Sequence, residues 1–198
     1  MGILPVEDPG DSPCPQIQPM LRYSQMKIIL VRHGRTEWNR EERFLGRAAL
    51  ALDETGIRQA EAAAERLANC DASAIYSSPL KRATMTAEPI AAKLGLTVRP
   101  LDGLIDIDYG AWQGLSTSEA LKQDSDLYHR WLEHPHDVRF PQGEGLQDVR
   151  ERVTTVIDKV LAEHAEETVI LVSHVVVCRV FICTVLGLDN SHFWQIGQ

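Results

Sequence analysis

At 198 residues the chain is long enough for one domain with a sizeable core and needs no second one. Lys and Arg number 20 against 28 Asp and Glu, a formal net charge of −8. That balance excludes the basic stripe a nucleic acid or an anionic membrane would require, yet leaves room for a small phosphorylated ligand held by a few arginines.

Residues 1–25 hold five of the ten prolines (Pro5, Pro9, Pro13, Pro15, Pro19) and carry neither a helical nor a strand period, the pattern of a flexible extension. The start lacks the positive region and apolar run of a signal peptide, and Val6 stands where myristoylation needs Ser or Thr. From Met26 onward, strand and helix patterns alternate. A strand is expected over 27–31, a helix over 56–67, a short strand over 74–77 and a helix running from Pro79 towards Leu94. A brief strand at Thr97-Val98 is followed by an irregular acidic segment over 101–114 and by polar helices over 118–131. The loop at 133–144 is rich in Pro, Gly and His. A helix over 146–162, a strand over 168–172 and a helix over 175–186 complete the pattern of an α/β fold, a three-layer αβα sandwich with a mostly parallel central sheet. Residues 168–188 have the bulk of a membrane span, but His174 and Arg179 interrupt them, so they read as buried strand, polar turn and buried helix. Cys14, Cys70, Cys178 and Cys183 form no CxxC pair and no metal spacing, which suits reduced thiols in a cytoplasmic protein.

Two apolar runs end in histidine. Ile28-Ile29-Leu30-Val31 leads into Arg32-His33-Gly34, and Val169-Ile170-Leu171-Val172 leads into Ser173-His174. Reactive side chains in an open α/β sheet collect beyond the carboxyl ends of parallel strands, so the two histidines are expected to converge. An imidazole there can act as a covalent nucleophile, a guanidinium beside it can hold a phosphoryl group, and Gly34 is expected to let the backbone approach a ligand. Arg82 is expected in the first turn of a helix opened by Pro79, where free N–H groups already favour anions. The competing readings are a pair of satisfied strand-end residues and an Arg82 paired with Glu88 or Asp71. His129, His134 and His136 lie close in sequence, but Pro135 and the polar loop favour an exposed cluster without a metal. His164 and His192 receive no role.

The segment Leu30-Val31-Arg32-His33-Gly34-Arg35-Thr36-Glu37-Trp38-Asn39 resembles the signature of the histidine phosphatase superfamily in its phosphoglycerate-mutase-like branch. So do, in the family's order, Leu52 to Ala60, Ser77-Ser78-Pro79-Leu80-Lys81-Arg82-Ala83, Tyr109-Gly110-Ala111-Trp112-Gln113-Gly114, Gly143-Glu144 and Val172-Ser173-His174. The resemblance runs from about Met26 to the C-terminus. It implies a metal-free and cofactor-free phosphomonoesterase, acting on a small phosphorylated metabolite through a phosphohistidine on His33. Arg32, Arg82 and His174 would hold the phosphoryl oxygens, and Asn39, Gly34 and the Val175 N–H would lie against the substrate.

Three departures from that pattern stand out. Asp106 occupies the position of the family's proton-donating Glu and is one methylene shorter, with Asp108 as the reserve donor. Leu45 replaces a frequent phosphate-contacting Gln, and Val175 replaces a frequent Gly. A phosphoglycerate mutase and a catalytically weak phospholigand-binding protein are the alternatives; against the mutase, the span from Trp112 to Gly143 is short. Specificity is expected in the loops around Leu45, 101–114 and 127–144, with sugar phosphates, phosphoglycerates and cobalamin nucleotide-loop precursors among the substrates the resemblance implies. Relatives usually run on beyond Ile196 into a further strand, so an uncovered sheet edge or a compensating partner such as a homodimer is expected.

Overall fold

The computed structural model describes residues 26–197, so the extension expected over 1–25 and Cys14 lie outside the described residues. Four strands, β1 (Lys27–Arg32), β2 (Ala72–Ser77), β3 (Val98–Pro100) and β4 (Thr168–Ser173), form a sheet in the order β1-β4-β2-β3. All its pairings are parallel. β4 lies inside the sheet, and Val169 through Val172 are wholly buried, as an uninterrupted apolar run in a parallel sheet requires. Side chains alternate across it. Val169 and Leu171 enter one core cluster, and Ile170 and Val172 enter the other.

The two clusters are the two seams of the sandwich. On one face, α2 (Glu54–Leu67) and α3 (Lys81–Leu94) supply Ala64, Ala83, Ala87 and Ile90. The other face is covered by α6 (Leu146–Glu163) and α7 (Val175–Val185), through Val149, Val153, Val177 and Val180 among others. A short α1 (Glu37–Arg40), with α4 (Thr117–Gln123) and α5 (Ser125–Glu133), lies beyond the carboxyl ends of the strands or in the 101–145 excursion. Within that excursion, single 3₁₀ turns at Asp102–Leu104 and Gly110–Trp112 bury Leu104 and Trp112, and Ile107 is buried between them. The αβα expectation is met. Residues 168–188 form β4 and α7, and no helix among the described residues is long and apolar enough to cross a membrane.

Two local expectations need correction. α3 starts at Lys81 with Leu80 as its N-cap, so Pro79 stands outside the helix, while Arg82 remains in the first turn. α1 is absent from the sequence reading because its four residues carry no period; a capping box between Thr36 and Asn39 makes it. The register places Arg32 beside Ser173 and Ser77 beside Val172. β1, β4 and β2 therefore end level, and the turns after them open on one edge.

The turn after β1 is held by a close backbone approach. A Cβ on Gly34 would collide with the Gly56 carbonyl, and one on Gly56 would collide with the Arg35 carbonyl. The missing side chain at Gly34 thus serves α2 docking, a need separate from the ligand approach expected there. Gly56→Ala is expected to destabilise the protein by about 1–3 kcal/mol through overpacking. A fall in the urea midpoint at unchanged m-value would report it, and an unmoved midpoint would contradict it.

Candidate active site

The three level strand ends deliver His33, His174 and Ser78 to one place. His33 is buried, its backbone N–H donates to Ser173 O (2.9 Å), and its ring lies 5.1 Å from that of His174. His33 Nδ1 is 2.7 Å from Gly34 O. A carbonyl only accepts, so the proton is assigned to Nδ1, and Nε2 carries the free lone pair. Burial first, and then the positive Arg82 and Arg32, push the His33 pKa down to about 3.

His174 is fully buried at the start of α7, with Nε2 2.8 Å from Ser78 Oγ. The ring proton is assigned to Nδ1, the nitrogen that faces the Asp106 oxygens, which makes the Ser78 hydroxyl the donor to Nε2. Nδ1 has no hydrogen-bond partner and lies 3.5 Å from the Asp106 carboxylate. Burial, then Arg82 and His33, hold His174 well below the usual imidazole range.

Arg82 is fully buried and pairs with neither Glu88 nor Asp71. Its terminal nitrogens donate to Gly46 O (2.6 Å), Ala48 O (2.9 Å) and Asp106 Oδ2 (2.9 Å), which leaves Nε as an unpartnered donor. Asp106 also accepts from Ile107 N (3.0 Å). Burial outweighs the attraction of Arg82 and pushes the Asp106 carboxyl up to about 6. Asp108 is placed differently. Its Oδ1 accepts from Gly110 N (2.8 Å) and its Oδ2 faces Arg47 at 3.5 Å.

Arg32, His33, Asn39, Leu45, Asp106 and Val175 line a cavity of about 270 Å³, and Asp108 does not. The exposed Arg32 guanidinium makes no hydrogen bond or ion pair among the described residues. Asn39 Oδ1 accepts from Thr36 N and Thr36 Oγ1 (3.0 Å each), so its NH₂ is the part of the amide left for a ligand. Gly34 lies in an adjoining polar pocket that shares Arg32, His33 and Asn39. The outer cavity wall is aromatic: Phe44, Tyr109, Tyr128, Trp131 and Trp194. The sequence reading missed Ser78 and the Gly46 and Ala48 carbonyls. A backbone acceptor carries no side-chain signal, and a serine in a turn is too common to single out.

The other histidines lie apart. His129, His134 and His136 are exposed, and no group of three metal-ligating side chains occurs among the described residues. His164 is bound to Tyr76 Oη (3.0 Å) and Glu167 (2.6 Å).

The family model described as "Histidine phosphatase superfamily (branch 1)" matches residues 28–198, and the chain belongs to that superfamily. Phosphoserine phosphatase 1 of Hydrogenobacter thermophilus is 41% identical over 172 residues, which cover 87% of this chain and 82% of that protein. The bifunctional protein Rv2228c of Mycobacterium tuberculosis is 38% identical over 176 residues, and the chain spans 48% of its length. Among solved structures, the mycobacterial glucosyl-3-phosphoglycerate phosphatase Rv2419c in complex with VO3 superposes with a TM-score of 0.80 at 30% identity, covering 85% of each chain. This protein is a histidine phosphatase, a phosphoric monoester hydrolase.

Two buried neutral histidines make the site acid-sensitive. The unfolded chain takes up protons near the ordinary imidazole value of 6.5, whereas folded His33 does so only at about 3. Its stabilising contribution is full above 6.5 and is lost progressively as pH falls between those values. Asp106, raised to about 6, works in the opposite direction and is outnumbered by the two histidines. The urea midpoint is expected to fall from pH 6.5 to 4.5, less steeply in His33→Gln; parallel slopes would contradict the assignment.

Proposed function

We propose that this protein hydrolyses a small phosphorylated metabolite in two steps, without a metal ion, through a phosphohistidine on His33. The reading carries forward the family's chemistry, and what supports it most is the set of unspent groups gathered around His33. His33 lines the cavity with a lone pair on Nε2, while Arg82 Nε and His174 Nδ1, buried behind that wall, are donors without hydrogen-bond partners among the described residues. Arg32, without an ion-pair partner among the described residues, and Asn39 line the same cavity as His33.

In the first step His33 Nε2 attacks phosphorus and the P–O bond to the leaving group breaks. Asp106, protonated because burial raises its pKa, gives its proton to the leaving oxygen and becomes a carboxylate. Arg32, Arg82, His174 and Asn39 stabilise the charge that spreads over the three equatorial oxygens. In the second step the Asp106 carboxylate takes a proton from a water whose oxygen attacks phosphorus. The P–N bond breaks, releasing inorganic phosphate and regenerating neutral His33 and protonated Asp106. Asp106 is favoured over Asp108 as the donor because only Asp106 lines the cavity.

The cavity volume suits a small leaving group, and Glu42, Arg43 and Thr117 line it together with the aromatic rings, which suits a polar one. The relatives named as phosphatases act on phosphoserine and on glucosyl-3-phosphoglycerate, and a compact phosphorylated metabolite of that kind is the substrate class proposed here. A domain over 26–198, a cytoplasmic site of action and a homodimer are further parts of this reading. The unbridged Cys70, Cys178 and Cys183 support the second, and the position of β1 at a sheet edge among the described residues supports the third.

Incubation with an aryl phosphate in the presence of a chelator, followed by acid-labile phosphoprotein trapping, tests the proposal. The expected results are turnover and a trapped adduct, with both lost in His33→Ala. Isomerisation of 3-phosphoglycerate faster than its hydrolysis would favour a mutase, and phosphate binding with no adduct would favour a binding protein. Asp106→Asn is expected to lower kcat for an alkyl phosphate by roughly 100-fold and for an aryl phosphate far less, since an aryl leaving group needs little protonation. With the alkyl ester, kcat/KM is expected to fall as pH rises through about 6, where Asp106 loses its proton. A flat profile over that range would remove Asp106 as the donor.

A further inference from the structure

The proton donor sits on a segment with little regular secondary structure, so something else must fix where it stands. Residues 103–108 run past the carboxyl ends of the strands with one 3₁₀ turn, Asp102–Leu104, and Asp106 lies beyond it. An aspartate side chain has only two rotatable bonds, so its reach is set by its backbone. Leu104 and Ile107 anchor the segment on the core side. On the other side it meets three charged groups that line no part of the substrate cavity: Glu144, Arg152 and Arg47.

Arg152, on α6, donates through one terminal nitrogen to the carbonyls of Gly103 (2.9 Å) and Ile105 (2.5 Å). Glu144 Oε2 accepts from Asp108 N (3.0 Å) and from Arg152 (3.3 Å). The donor's backbone is thus held one residue before Asp106 and two residues after it. Glu144 Oε1 accepts from Arg47 (2.8 Å), and Arg47 stands between Gly46 and Ala48, the two residues whose carbonyls hold Arg82. The Glu144 backbone joins as well, its N–H donating to Asp108 O (2.8 Å). Removal of the carboxylate would leave Arg47 and Arg152 facing each other with like charge; each Glu144 and Arg152 side chain is only 17% exposed, where such charges are poorly screened.

We infer that Glu144 is a positioning residue for proton donation: it clamps the Asp106 segment, through Arg152 and Asp108 N, and ties it through Arg47 to the loop that seats Arg82. This clamp compensates for the short donor. It fixes the backbone of residues 105–108 where the Asp106 carboxyl reaches Arg82 and the cavity without the extra methylene of a glutamate. The inference rests on the proposed phosphohistidine mechanism and assigns Glu144 no contact with substrate.

The test compares two leaving groups on the full chain, p-nitrophenyl phosphate and glycerol 2-phosphate. Glu144→Ala is expected to lower kcat for the alkyl ester by about 10- to 100-fold and for the aryl ester by less than about threefold, because only the former needs the proton. Combined with Asp106→Asn, it is expected to cost the alkyl ester nothing further, the signature of two residues acting through one step. An equal fall on both esters, or an additive loss in the double variant, would overturn the inference and leave Glu144 a purely structural group. If Glu144→Ala does not fold, Glu144→Gln carries the same comparison, since its amide still accepts from Asp108 N but no longer neutralises the two arginines. Wild-type protein that forms no phosphohistidine would overturn the mechanism itself. An active wild type with losses blind to the leaving group overturns this inference alone.

Discussion

A guanidinium with no exposure to water organises this site. Arg82 is buried by the docking of α3 against the sheet, and a lone buried cation would cost several kcal/mol. Gly46 O, Ala48 O and Asp106 are what make it tolerable. The two carbonyls come from one stretch of chain and the carboxylate from another, so the charge draws together the 45–48 loop, the 103–108 segment and the start of α3. The same charge reaches the histidines. Burial depresses both imidazoles, and Arg82 follows as the next cause for each.

The arrangement separates the roles that phosphoryl transfer needs. Burial keeps His33 unprotonated and, against the lowering pull of Arg82, raises the Asp106 carboxyl to about 6, so nucleophile and proton donor coexist in mildly acidic solution. Burial has opposite consequences for the two groups, because in each it disfavours the charged form. Asp106 faces both the arginine and the cavity, so it accepts from Arg82 in either protonation state, neutralising it when ionised and placed to give up a proton when not. Behind it, Glu144 neutralises two further arginines, Arg47 and Arg152, and carries the constraint into α6.

Much of this was legible in the amino-acid sequence, and the limits have physical causes. The strands and α2, α3, α6 and α7 announce themselves because burial on both faces of a parallel sheet demands apolar runs and amphipathic helices. Arg32, His33, Arg82 and His174 follow, since strand ends and helix starts fix where they point. α1 escaped notice because local capping rather than periodicity forms it. Pro79 does not fix the start of α3, because a proline is as acceptable just outside a helix as in its first turn. At Gly34 the need for glycine was visible but its cause was not, because the collision involves the distant Gly56 backbone. Glu144 was recognisable only as part of a family pattern. Its task depends on Arg47, Arg152 and Asp108, which lie 97, 8 and 36 residues away and meet only in the folded chain.

The claim on which the rest stands is that burial beside Arg82 leaves Asp106 a carboxyl group that holds its proton close to neutral pH. Carbon NMR of protein labelled at the aspartate carboxyls, titrated with and without inorganic phosphate, reads this directly. The Asp106 resonance is expected to titrate near pH 6 in the free protein and at higher pH once the anion occupies the pocket. A midpoint at the ordinary aspartate value of 3.8, unmoved by phosphate, would contradict the account.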